Sequence, residues 1–190
     1  MIKHRRTMES QLETRTETDA KVIEGYFAVF DKETELWPGA FEQIARGAFD
    51  SSMKRDVRAL LNHNDDIVLG RTKAGTLTLR ADDAGLWGSI IVNEADTDAM
   101  NLYARVQRGD VSQCSFGFNI LKESTEYRDD GLIKWTIEDL ELWEVSPVTF
   151  PAYEETGISA RKAQATAEEK RRTEQWRAEM RAKLTGGENA

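Results

Sequence analysis

A chain of 190 residues, 39% hydrophobic and 32% charged, is sized for one globular domain with tails. No run approaches the ~20 apolar residues of a membrane span, and the basic start Met1-Ile2-Lys3-His4-Arg5-Arg6 has no apolar stretch behind it, so neither a membrane anchor nor a secretory signal is expected. The single cysteine excludes an intramolecular disulfide and a cysteine-based metal cluster, and the net charge of −8 argues against nucleic acid as a main partner.

Residues 1–20 are polar and rich in Thr, Glu and Arg, and read as a flexible N-terminal segment. Lys21 to Phe30 has the aromatic and β-branched content of a strand, Leu36-Trp37-Pro38-Gly39 reads as a turn, and Phe41, Ile44, Ala45, Ala48 and Phe49 recur at helical spacing, which predicts a short helix to about Met53. Val57–Asn64 reads as a strand, with Asp65-Asp66 as the turn after it. Strands at Ile67–Arg71, Thr76–Arg80 and Leu86–Val92 follow, separated by turns at Lys73-Ala74-Gly75 and Asp82-Asp83-Ala84-Gly85. Such a meander closes on itself or packs as a sandwich.

Between Asp96 and Arg108, Ala99, Leu102, Tyr103 and Val106 fall at three- and four-residue spacing, with Asp96 or Thr97 as N-cap and Gly109 as the stop, which predicts a helix. A strand then begins at Ser112-Gln113-Cys114-Ser115-Phe116-Gly117-Phe118. Glu123–Gly131 reads as a polar loop and Leu132–Phe150 as one or two more strands. Ala160–Leu184 has no Gly or Pro and carries a narrow stripe of Trp176, Met180 and Leu184, the pattern of a solvated or transiently docked helix. Residues 161–190 carry eight basic and five acidic side chains, a net of +3, against −11 for the rest, so the tail is expected to have a separate role in docking. The expected division is therefore a segment 1–20, a mostly β domain 21–160 and a charged helical tail 161–190.

Strand alternation puts Cys114, Phe116, Phe118 and Ile120 on one face and Ser115, Gly117 and Asn119 on the other. Ser115 then has open space beside it, where Gly117 lacks a side chain. A hydroxyl nucleophile needs a base, and of the two histidines His4 lies in the polar start, leaving His63, on the strand parity of Ala59 and Leu61. The base in turn needs an orienting group. Asp65, Asp66, Asp139, Glu141 and Glu144 are the candidates, and Glu144 is favoured because it shares strand parity with Leu140 and Leu142 and so points inward. Cys114, on the aromatic face, reads as a small buried hydrophobe rather than a rival nucleophile. With one usable histidine and no ligand cluster, no metal site is expected, and no glycine loop has the spacing to cradle phosphate.

Asn62-His63-Asn64, Leu69-Gly70-Arg71, Gly75-Thr76-Leu77, Asp83-Ala84-Gly85-Leu86, Ser115-Phe116-Gly117-Phe118 and Leu142-Trp143-Glu144-Val145-Ser146-Pro147-Val148 with Pro151-Ala152 follow in an order and spacing that resembles the prohead maturation proteases of tailed bacteriophages. The resemblance covers about residues 20–160 and departs from the pattern at Cys114, where Met or Ile is more familiar. It implies a mostly β fold with flanking helices, a closed antiparallel β-barrel shared with the herpesvirus assembly proteases, here followed by a C-terminal helix. It also implies a serine endopeptidase with Ser115 as nucleophile, His63 as base and Glu144 as third member, and no cofactor. The implied substrate is the scaffold portion of the phage major capsid protein, and the protease itself, inside the immature prohead in the host cytoplasm. A homo-oligomeric form is allowed. A non-enzymatic capsid-assembly or scaffolding protein with the same barrel is the alternative, and an unrelated β-barrel binding domain a more distant one.

Overall fold

The computed structural model describes residues 4–8, 12–17, 20–128, 131–150 and 155–185. The chain divides into two compact units, Met1–Glu154 and Glu155–Ala190. Described strands in the first unit are β1 His4–Met8, β2 Glu13–Glu17, β3 Ala20–Val29, β4 Thr34–Trp37, β5 Ala40–Ile44, β6 Arg58–Leu61, β7 Asn64–Arg71, β8 Leu77–Ala81, β9 Gly85–Ile91, β10 Gln113–Tyr127 and β11 Ile133–Val148. Helix α1, Thr97–Arg108, lies between β9 and β10. The second unit is one helix, α2 Glu155–Thr185, on which Trp176 and Met180 are exposed. Among the described residues no helix is long and apolar enough to cross a membrane.

The closed barrel expected from the resemblance does not form. Among the described residues the strands fall into two open sheets: one of seven strands, with the path β1-β10-β11-β5-β4, β6 paired to β11 and β7 to β6, and one of four in the order β2-β3-β9-β8. Among the described residues no ladder joins the two sheets, and at the corner between β7 and β8 the chain passes from the first to the second. There a 3-10 turn at Thr72–Ala74 takes up backbone groups that a ladder would use, with Gly75 N–H bonded to the Thr72 carbonyl and Thr76 N–H to that of Arg71. Gly75, at φ 72°, ends that turn in the left-handed region that glycine enters without cost.

Helix α1 starts and stops where its capping residues predict. The Asp96 carboxylate accepts from the N–H groups of Asp98 and Ala99, and Gly109 closes the other end at φ 84°. The helix expected from Phe41 to Met53 is instead strand β5 followed by a 3-10 turn at Asp50–Ser52. The segment mixes two patterns: Ala40, Glu42 and Ile44 are buried alternately, as in a strand, while Ala48 and Phe49 are buried just ahead of the turn. The turn has a task. On one side β11 pairs in parallel with β5 over Ile133–Ile137 and with β6 at Glu144–Val145. The gap between those ladders is bridged by Ser52, whose buried hydroxyl donates to the Leu140 carbonyl at 2.7 Å and accepts from Leu142 N–H at 2.9 Å. Buried backbone groups left unpaired there would cost ~1–3 kcal/mol each.

The core lies against one face of β10. Cys114, Phe116 and Phe118 are buried there, with Phe116 against Phe49 at 5.6 Å between ring centres and against Phe118 at 5.0 Å. A buried phenyl ring contributes roughly 1.5–3 kcal/mol, so this cluster holds β10 in place.

The far end of the β10–β11 hairpin is tied down by Glu33. Hydrogen bonds from Arg128 and then Lys134 hold its carboxyl at about 2, against an ordinary 4.5. The folded form therefore keeps this carboxylate charged where the unfolded chain protonates it. The resulting stability is present above pH 4.5 and is lost as the pH falls toward 2. Glu33→Gln is expected to flatten that acid loss. Urea midpoints should fall less between pH 5 and pH 2.5 in the variant than in the wild type, and equal falls would show the pair to be inert.

Candidate active site

Ser115 sits on β10 directly opposite Ser146 of β11, and Gly117 directly opposite Glu144. Residues opposed in an antiparallel pair point the same way, so Ser115, Gly117, Glu144 and Ser146 share one face. Beyond Gly117 the register shifts, and Phe118 opposes Leu142. Trp143 is thus an extra residue in β11, a β-bulge. Without it, Glu144 would share the core face of Leu142, on the far side of the sheet from Ser115. Parity with Leu140 and Leu142 is therefore not what points the carboxylate inward. The bulge is.

The space beside Ser115 is not open either. The Glu144 carboxylate crosses over Gly117, and a Cβ at that position would collide with Oε1 and crowd the rest of the side chain. Glycine is required at 117 because the acid passes there.

His63 is not in a strand. Leu61 pairs with Asn64, so Asn62-His63 form the two-residue turn between β6 and β7, and the pair Asp65-Asp66 expected as the turn belongs to β7. Both turn residues are left-handed, Asn62 at φ 52° and His63 at φ 60°, the geometry that matches strand twist in tight hairpins. Histidine enters this region less readily than glycine, and such outliers mark candidate functional positions. Asn62 docks the turn onto the end of β11: its N–H donates to the Pro147 carbonyl at 3.0 Å and its Oδ1 accepts from Thr149 N–H at 2.8 Å.

The docked turn brings the imidazole over the shared face. His63 Nδ1 lies 2.7 Å from Glu144 Oε1, and the two side chains are only 7% and 10% exposed. The second carboxylate oxygen, Oε2, accepts from the buried Ser146 hydroxyl at 2.5 Å. A carboxylate so bound accepts a hydrogen bond from Nδ1–H, which keeps the ring proton on Nδ1 and leaves Nε2 with its lone pair. Nε2 is buried and has no hydrogen-bond partner among the described residues. Burial of a ring nitrogen without a partner is costly unless some state of the protein satisfies it.

Ser115 is fully buried, and its hydroxyl donates to the Arg6 carbonyl of β1 at 2.9 Å rather than to His63. The structure thus joins His63 to Glu144 and sets Ser115 on the same face two residues from Gly117, about 7 Å along the strand, with its hydroxyl turned to the other edge. Of the remaining acids, Asp65 lines the cavity beside Glu144 and the others lie elsewhere. Asp65 and Asp66 are exposed, Asp139 accepts from Ser51, and Glu141 is paired with Arg55 and accepts from Asn119. Cys114 is buried on the opposite face. Beside the Glu144 side chain lies a cavity of about 250 Å³ lined by Leu60, Val68, Phe118 and Trp143, with His4 and Arg5 contributing from β1.

Two residues and one strand of this arrangement escape sequence reasoning. Ser146 and Asn62 hold Glu144 and the histidine turn, and β1 covers Ser115. Asn62 carries a faint signal, since asparagine is favoured in left-handed turns. Ser146 carries none, because a hydroxyl two residues from an acid is commonplace, and β1 carries none, because it is seated by register with a strand far away in the chain.

The sequence model of the family described as Caudovirus prohead serine protease matches residues 9–171. The prohead protease of Enterobacteria phage HK97 is 29% identical over 160 residues, covering 82% of this chain and 66% of that relative, so the chain spans just under two thirds of the relative's length. Among solved structures, the capsid assembly protease of bacteriophage T4 is similar at 11% identity with a TM-score of 0.44, covering 76% of this chain and 98% of that one.

Proposed function

From a chain that belongs to the caudovirus prohead serine protease family, we propose a serine endopeptidase that cleaves the scaffold portion of the phage major capsid protein, and itself, within the immature prohead in the host cytoplasm. Ser115 is the nucleophile, His63 the general base and Glu144 the group that orients the imidazole. The observation that supports this reading is the 2.7 Å contact between His63 Nδ1 and Glu144, on the face that bears Ser115, with Nε2 buried and without a hydrogen-bond partner among the described residues. Residues 161–190 are the docking tail of this enzyme.

The chemistry follows from the residues. Ser115 turns from the Arg6 carbonyl toward His63, and Nε2 takes its proton as Oγ attacks a peptide carbonyl carbon. The imidazolium that forms is stabilised by Glu144, whose second oxygen is held by Ser146. The same proton then passes to the leaving amine, and water repeats the sequence to release the acyl group.

Prolonged reaction of the full chain with a fluorophosphonate is expected to leave one adduct, on Ser115 by peptide mass mapping, and His63→Ala should prevent it. An adduct on another serine, or none under any condition, would sink the hydrolytic reading in favour of a capsid-assembly role without catalysis.

A further inference from the structure

The hydroxyl assigned as nucleophile is covered by the protein's own chain. Strand β1 pairs antiparallel with β10, Thr7 opposite Ser115 and Arg5 opposite Gly117, and forms one end of the strand path of its sheet. It sits where an extended peptide would add to the edge of β10. We propose that His4–Met8 is an internal occupant of the substrate's strand site, and that the enzyme is held inactive until this segment leaves. This rests on Ser115 as nucleophile, and it goes beyond that reading by naming the segment that restrains it.

The geometry is that of restraint rather than reaction. Ser115 Oγ meets the Arg6 carbonyl through its oxygen, as a hydrogen-bond donor, at 2.9 Å. That contact uses the proton His63 would take and keeps Oγ turned from Nε2. Ser115 is fully buried, so no external carbonyl carbon can approach while β1 is seated.

The segment is clamped by its other face. Arg6 makes a two-pronged ion pair with the buried carboxylate of Glu42, the Nη2–Oε2 contact being 2.9 Å, and its guanidinium lies 5.9 Å from the Phe118 ring centre. His4 stacks on the same ring at 5.6 Å. Paired bidentate arginine contacts of this kind are the strong ones. Departure of β1 would do three things together. It would free the Ser115 hydroxyl, expose a row of N–H and C=O groups along β10 ready to pair with an extended peptide, and remove the His4 and Arg5 wall of the adjoining cavity.

The test uses the full chain as wild type, Arg6→Ala and Glu42→Gln. Two rates are followed, fluorophosphonate labelling of Ser115 and hydrogen exchange of the His4–Met8 amides. Both variants are expected to exchange faster in that segment and to label at least about tenfold faster than wild type. A synthetic peptide of residues 1–11 should slow labelling of Arg6→Ala, whereas the same peptide carrying Arg6→Ala should not. Faster exchange with unchanged labelling would overturn the inference while leaving Ser115 as nucleophile, and so would unchanged exchange in both variants. Labelling of Ser115 in none of the three proteins would instead remove the nucleophile itself, and the inference with it.

Discussion

Ser115→Ala is expected to lower the turnover of co-expressed capsid protein by on the order of 10⁶, to below detection on a gel, since removal of the nucleophile in other serine proteases costs about that much. The fold should survive. The substitution deletes a hydroxyl bonded to the Arg6 carbonyl, a loss of about 1 kcal/mol, which a urea midpoint would register as a small shift. Cys114→Ala gives the contrast. Cys114 is one residue away but buried on the aromatic face, so it should lose stability by about 1 kcal/mol through a small cavity and keep turnover within a few-fold. Cleavage that persists in Ser115→Ala, or that disappears in Cys114→Ala with the fold intact, would show that the wrong face has been chosen.

The second large effect is expected from Glu144→Gln. The amide is isosteric and can still meet His63 and Ser146, so stability should change by little more than about 1 kcal/mol. Its NH₂, however, can donate to Nδ1 and so favour the tautomer with the proton on Nε2, which cannot accept from a serine. In a comparable triad the acid-to-amide change lowers kcat by about 10⁴, and a loss of 10³ to 10⁴ in kcat with KM little altered is the expected result here. A loss under tenfold would mean that the 2.7 Å contact serves packing alone.

Both expectations depend on features of unequal visibility in the sequence. The alternation that separates Cys114 from Ser115 is local, and the structure shows it directly in β10. The caps of α1 are equally local and stand where Asp96 and Gly109 put them. Phe41 to Met53 misleads because one apolar run spans the end of a strand and a turn, so its spacing imitates a helix. The expected barrel fails for a different reason. Closure needs ladders between the two sheets; none forms among the described residues, and at the corner between β7 and β8 a tight turn takes up hydrogen-bonding groups a ladder would need, which no residue pattern announces.

The candidate site divides along the same line. Glu144 is selected in the sequence by its parity with Leu142, yet the two face opposite ways, and the Trp143 bulge between them turns the acid toward the Ser115 face. His63 reads as a strand end and is instead a left-handed turn residue pinned by Asn62 to the end of β11. Strand β1 falls in a polar stretch with no strand pattern. What seats it is an ion pair to Glu42, 36 residues on, and a ladder to β10 more than a hundred residues on.

By itself, then, the sequence determined which side chains are available for chemistry: a hydroxyl beside glycine, one imidazole outside the polar start, and a set of acids, along with the short-range periods and caps that build most strands and α1. The tertiary structure alone decided which acid meets the imidazole, that the hydroxyl is covered by β1, and that the sheets stay open. The reason is physical: alternation and capping are set by neighbours along the chain, whereas register, bulges and edge pairing are set by partners as far apart as the 109 residues between Arg6 and Ser115.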